Sequence, residues 1–197
     1  MRTFQRLCLL VILVNLLVFA LGCTANWIGE ASSILQTLIP AAAALLGLLG
    51  TLGVGPAVLA AFTAWSTKAT TSLNIVGQLV QDYNKAEATA QPGILGQIDS
   101  AITAVLDELQ PLLPTLNVKD PKTQSTITGL FADWAQELEA LLNLIPVIKG
   151  SLTPVPADAV TEHEEVMKRL NKLKSAKQFK KELNAKIATV NPKFQVK

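Results

Sequence analysis

The chain has 197 residues, of which 50% are hydrophobic, 16% charged and 5% aromatic, with a formal net charge of +2. That length fits one domain or a domain with an appendage, and the hydrophobic share beside eleven Gly and ten Pro excludes a disordered or collagen-like chain. Two Cys and one His exclude a disulfide framework and are too few for a zinc-finger or ribbon-type site.

Arg2 and Arg6 are the only charges before Glu30, and between them and Cys23 the stretch Leu7 to Leu21 is apolar except for Asn15. A positive start, a short apolar run and a small residue at its end form a secretory signal. The run is short for a membrane span, which needs about 20 residues. A permanent amino-terminal anchor helix is the plainer alternative. The run closes on Ala20-Leu21-Gly22-Cys23, which resembles the lipobox of bacterial lipoproteins. The resemblance covers those four residues. It implies removal of residues 1–22 and a diacylglyceryl group on the Cys23 thiol, with Cys23 as the acylated amino terminus. Ala20 and Gly22 equally suit an ordinary signal peptidase, which would cut the same bond and leave Cys23 unmodified.

The thiol count favours acylation. Cys8 departs with the leader, so the mature chain keeps one Cys, and an odd thiol in an oxidising compartment is a liability. Anchoring then has a physical basis: each buried methylene contributes about 0.8 kcal/mol, and two or three acyl chains hold where one would not. The expected location is the bacterial cell envelope. Thr24 replaces the Asp that retains lipoproteins at the inner membrane of enteric bacteria, which points to the outer membrane, facing the periplasm, where the host has one.

Loss of residues 1–22 removes two Arg and no acid, leaving fifteen basic against fifteen acidic residues. Residues 23–157 hold five Lys and ten acids, whereas residues 158–197 hold ten Lys or Arg and five acids. Thr153-Pro154-Val155-Pro156 marks the changeover, and proline stiffens such a spacer. The segments are therefore a leader (1–22), a body (23–152), a proline linker (153–157) and a basic tail (158–197).

Residues 31–67 carry no charge. Ala41 to Phe62 is long enough to cross a bilayer, yet Gly47, Gly50, Gly53, Gly55 and Pro56 weaken it as one helix. The soluble reading makes it two helices, about Pro40–Leu52 and Ala57–Gln91, joined at Gly53-Val54-Gly55-Pro56. An all-round apolar helix is either a bundle centre or a span, and the buried centre is preferred because a second anchor would duplicate the lipid. Trp65, Ala69, Leu73, Val76, Val80 and Tyr83 recur at helical steps, and Gln91-Pro92-Gly93 should end that helix. Ile98, Ile102, Val105, Leu109 and Leu112 form the next stripe, stopped by Pro111 and Pro114. Asp120-Pro121 reads as an N-cap with Pro at the first helical position, before a stripe of Ile127, Phe131, Trp134, Leu138, Leu141 and Ile145. No run alternates with period two. The fold class is all-α: an antiparallel bundle of about four to five helices with a basic C-terminal amphipathic helix. The segments around Trp27 and Trp134 echo each other, each reading as a helix that begins near Trp and stops at Pro. A true duplication would put both Trp in equivalent core positions.

His163 is the sole His, so a catalytic triad would have to use it, and it sits where Thr161 and Glu164 match a capping box. Glu137 and Glu139 point to different helix faces. No metal-binding, dithiol or phosphate-loop motif occurs, so neither a cofactor nor a metal is expected. Residues 162–190 read as one helix with the stripe Val166, Leu170, Leu173, Phe179, Leu183, Ile187 and Val190. Its cations Lys168, Arg169, Lys172, Lys174, Lys177, Lys180 and Lys181 are the candidate surface for membrane or partner. The helix could lie over the acidic body, or meet anionic lipid or an acidic envelope polymer. Nucleic acid is not an expected partner of a secreted chain. The reading is a non-enzymatic, lipid-anchored envelope protein with a structural or partner-binding role, whose protein partner the residues do not name. The competing class is a membrane-active helical protein that inserts Ala41–Phe62 as a span or hairpin.

Overall fold

The computed structural model describes residues 2–151 and 175–197, with residues 2–26, 147, 150 and 151 described by backbone alone. The elements are α1 (Arg2–Thr51), α2 (Pro56–Lys85), α3 (Gln91–Leu109), a 3-10 turn (Leu113–Thr115), α4 (Pro121–Leu142), α5 (Ile145–Ser151), α6 (Ala176–Val190) and a closing 3-10 turn (Pro192–Phe194). The protein is an all-α helical bundle, with no strand among the described residues. One continuous core draws on α1 to α6 and on Val196 after the last turn.

Pro40 is not a helix boundary. It lies inside α1, on the exposed side, where its ring removes one hydrogen bond from the carbonyl of Gln36. Gln36 is exposed too, so the freed carbonyl belongs to a residue on the solvent side of the helix. The expected break after Leu52 does occur: Gly53 takes φ +66°, a left-handed conformation open to Gly at little cost, and Pro56 opens α2. Ala41–Phe62 is therefore a helix, a turn and a helix. Ala41, Ala42, Leu45, Leu48, Leu49 and Phe62 are buried within it. Among the described residues, the stretch of helix long and apolar enough to cross a membrane is Trp27–Thr51, and half of its most apolar window is buried.

α2 buries the whole expected stripe from Trp65 to Tyr83, with Phe62 and Ser66 added. It ends at Lys85, not Gln91, because Ala86 turns to extended backbone. Gln91-Pro92-Gly93 opens α3 instead, as a first-turn Pro lacks only an N–H that has no helical partner anyway. The Gln91 side-chain amide reaches back to the carbonyls of Tyr83 and Ala86, each at 3.4 Å, capping the end of α2. α1, α2 and α3 are antiparallel neighbours. Trp27 meets Tyr83 at one end, and Lys68 pairs with Glu108 at 3.0 Å towards the other.

The connection to α4 is longer and partly internal, with Leu116 and Val118 buried and the Gln124 amide bonded to the Leu116 carbonyl at 3.2 Å. Asp120 caps α4 as expected, its carboxylate accepting from the Thr123 N–H at 2.8 Å and the Thr123 hydroxyl at 2.6 Å. All six stripe residues from Ile127 to Ile145 are buried. Phe62, Trp65, Phe131 and Trp134 form one aromatic cluster with centroids 5.0–6.4 Å apart. Within it, edge-on against Trp65, the Trp134 indole donates to the carbonyl of Leu38 on α1 at 2.9 Å.

The Trp27–Trp134 echo does not extend to the fold. α1 runs past Pro40, Trp134 sits in the middle of α4, and of the two tryptophans only Trp134 joins the aromatic cluster and has a hydrogen-bonded indole. Of the expected helix 162–190, the linker and residues up to 174 lie outside the described residues. The helix that is described starts afresh at Ser175, whose extended backbone and side-chain oxygen cap Gln178 at 3.3 Å. α6 packs on α1 and α4 through Phe179, Leu183 and Ile187, and its Lys186 pairs with Asp133. The following residues fold back as a strap. The Asn184 amide holds the Val196 backbone on both sides, at 2.7 and 2.9 Å, and Phe194 lies on Gly47. A Cβ at Gly47 would stand 2.7 Å from the Phe194 ring, so glycine there permits the close approach.

The Thr123 hydroxyl and N–H hold the Asp120 carboxyl below its ordinary pKa. A depressed carboxylate contributes stability above its unfolded pKa and loses it as pH falls through the folded value. Asp120→Ala should lower the urea midpoint at neutral pH, and the gap from wild type should close as the solution is acidified through that range. A gap that stays constant into acid would contradict the capping role of the charge.

Candidate functional site

Two features from the sequence bear on function, the thiol position on α1 and the cations on α6. Cys23 lies on the unbroken helix α1, one turn before Trp27, where the described core begins. Four residues of helix span about 6 Å, so a group carried at Cys23 would leave almost no stalk between anchor and bundle.

Trp27 and Tyr83 close that end of the α1–α2 pair, ring centroids 5.1 Å apart in an edge-on arrangement. Both are buried, and neither the Trp27 indole N–H nor the Tyr83 hydroxyl has a hydrogen-bond partner among the described residues. Burial also pushes the Tyr83 phenol pKa up, which keeps it protonated. The other two indoles are satisfied, Trp134 as above and Trp65 by the Val105 carbonyl at 3.2 Å. Sequence periodicity placed Tyr83 in the core but gave no sign of its unmatched hydroxyl.

Of the predicted cationic surface, Lys168, Arg169, Lys172 and Lys174 lie outside the described residues, as does His163. Lys177, Lys180 and Lys181 lie within one turn and a quarter of α6, at i, i+3 and i+4, and so share a face. Lys177 and Lys181 are exposed and Lys180 half-buried, while Phe179, Leu183 and Ile187 point inward. Asn184 follows on the lysine face, and its hold on Val196 brings the strap, with Lys193 and Lys197, against that flank. In the sequence this clamp has no signature, since an Asn in a lysine-rich helix carries no signal.

No family model matches this chain, and no characterised protein or solved structure does either. The chemistry therefore rests on the residues alone. Glu137 is 5% exposed and faces inward, whereas Glu139 is exposed, so the two carboxylates do not converge. An open cleft of about 330 Å³ lies where the last turns of α3 and α4 meet, lined by Thr103, Leu106, Asp107, Gln110, Glu139, Leu142 and Asn143. Its polar groups are the Asp107 and Glu139 carboxyls, the Gln110 and Asn143 amides and the Thr103 hydroxyl. No cluster of three or more His, Cys, Asp or Glu suited to a metal occurs among the described residues.

A buried hydroxyl without an acceptor costs about 1–3 kcal/mol, so Tyr83→Phe should be neutral or stabilising in urea denaturation. Destabilisation by more than about 1 kcal/mol would mean that the hydroxyl is bonded in solution.

Proposed function

We propose that the chain is a non-enzymatic, lipid-anchored protein of the bacterial cell envelope, tethered through Cys23 and serving a structural or partner-binding role. The observation that carries this reading is the apolar leader closing on Ala20-Leu21-Gly22-Cys23, followed by a mature chain with a single thiol. The short interval between Cys23 and Trp27 supports it, since acyl chains at that point hold the bundle directly at a bilayer. The non-enzymatic part rests on the sequence, with one His, one mature Cys and no motif that places either beside a partner group. Thr24 supports the outer membrane over the inner where both exist.

A second reading, insertion into the bilayer, is favoured by one observation. Trp27–Thr51 has a mean hydropathy of 1.8 and is long enough to span. Half of its most apolar window is already covered by the bundle, the condition of a core helix.

Intact-mass measurement on protein purified from membranes should show loss of residues 1–22 together with the added mass of a diacylglyceryl group and, in hosts that add it, a third acyl chain. A free sulfur at Cys23 would overturn the anchor. A chain made from residue 23 onward with Cys23→Ser should stay in the soluble fraction; its recovery with membranes after carbonate washing would favour insertion.

A further inference from the structure

We infer that the lysine face of α6 lies against the anionic headgroups of the bilayer that carries the anchor, a peripheral contact made by cations alone. This rests on the membrane-anchored reading above and adds how the tethered bundle meets the surface.

Four observations lead there. Lys177, Lys180 and Lys181 share one helical face, and the Asn184–Val196 clamp holds the strap with Lys193 beside it. These four lysines make no ion pair among the described residues, whereas Lys68 pairs with Glu108 and Lys186 with Asp133. The one acid on α6, Glu182, accepts from the Gln178 amide at 3.0 Å on the same helix. The apolar stripe of α6 is already buried against the bundle, so the helix cannot roll that stripe into the acyl layer as an interfacial amphipathic helix does.

What remains available is charge. Lysines held near an anionic leaflet are attracted within about a Debye length, roughly 10 Å at 0.1 M salt. Such a contact is weak by itself and becomes effective when an anchor raises the local concentration of the surface. The Cys23–Trp27 interval of one turn keeps the bundle at the bilayer, which favours lipid over a polymer elsewhere in the envelope.

The test uses the native membrane-purified protein in vesicles of phosphatidylcholine alone and in vesicles containing about 30% phosphatidylglycerol. A membrane-impermeant amine reagent labels exposed lysines, read residue by residue. Labelling of Lys177, Lys180, Lys181 and Lys193 should slow by about threefold or more in the anionic vesicles at about 0.1 M salt, and recover at about 1 M. Lys68, on α2 against α3, should label equally in both. Replacing Lys177 and Lys181 with Gln, which leaves the buried face untouched, should abolish the protection of Lys180 and Lys193. Equal labelling in the two vesicles overturns the inference. Protection by added polyglutamate but not by phosphatidylglycerol also overturns it, and assigns the face to an acidic polymer. Intact mass of the same preparation reports the state of Cys23 separately, so loss of the anchor reading and loss of the lysine contact are distinguishable.

Discussion

The contact on which the bundle depends most is the hydrogen bond from the Trp134 indole to the Leu38 carbonyl, made inside a cluster of four aromatic rings. The α1 carbonyl has a second lone pair to give, and Trp134, fully buried, places a large ring and a directed donor on it at once. α1 is the most apolar part of the mature chain and carries no charge from Ala31 to its end. Left uncovered, it would partition into lipid or aggregate. Trp134, Phe131, Phe62 and Trp65 cover it from α4 and α2, and the directed bond fixes where α4 lies on α1.

From that coverage the rest follows. With α1 committed to the core, the membrane attachment proposed above would fall to a group outside the bundle, at Cys23 one turn upstream of Trp27. With its apolar stripe committed to α1 and α4, the charge that α6 leaves at the surface is mainly that of its lysines. The acidic body and basic tail seen in the sequence become one packed unit in the described residues, joined by Lys186 and Asp133 at the surface and by Phe179, Leu183 and Ile187 beneath it. That surface pair is half-exposed and contributes little; the buried stripe does the holding.

Much of this was legible in the residues. The stripes of α2, α3 and α4 follow from helical spacing, because each helix buries one face, and Asp120-Pro121 announced its cap. Boundaries were less legible wherever a breaker has two uses. Pro40 reads as a stop, but it lies on the exposed side of α1, where the lost helix hydrogen bond is not buried. Gln91-Pro92-Gly93 reads as an end, yet a first-turn Pro starts a helix as readily as it follows one. Ser175 did carry a signal, with Gln three residues on in the spacing of a capping box, and the lysine run around it masked that. The Asn184 clamp and the Gly47–Phe194 contact are long-range pairings that spacing cannot reveal.

In the proposed anchored state the bundle stays outside the acyl layer while its anchor enters it. Tryptophan fluorescence of the membrane-bound protein in vesicles whose acyl chains carry bromine tests it directly, since bromine quenches only rings that reach the hydrocarbon. Trp65 and Trp134, buried in the aromatic cluster, should keep their emission, and any quenching should be confined to Trp27 at the end nearest Cys23. Strong quenching that persists in a Trp27→Phe variant would contradict it.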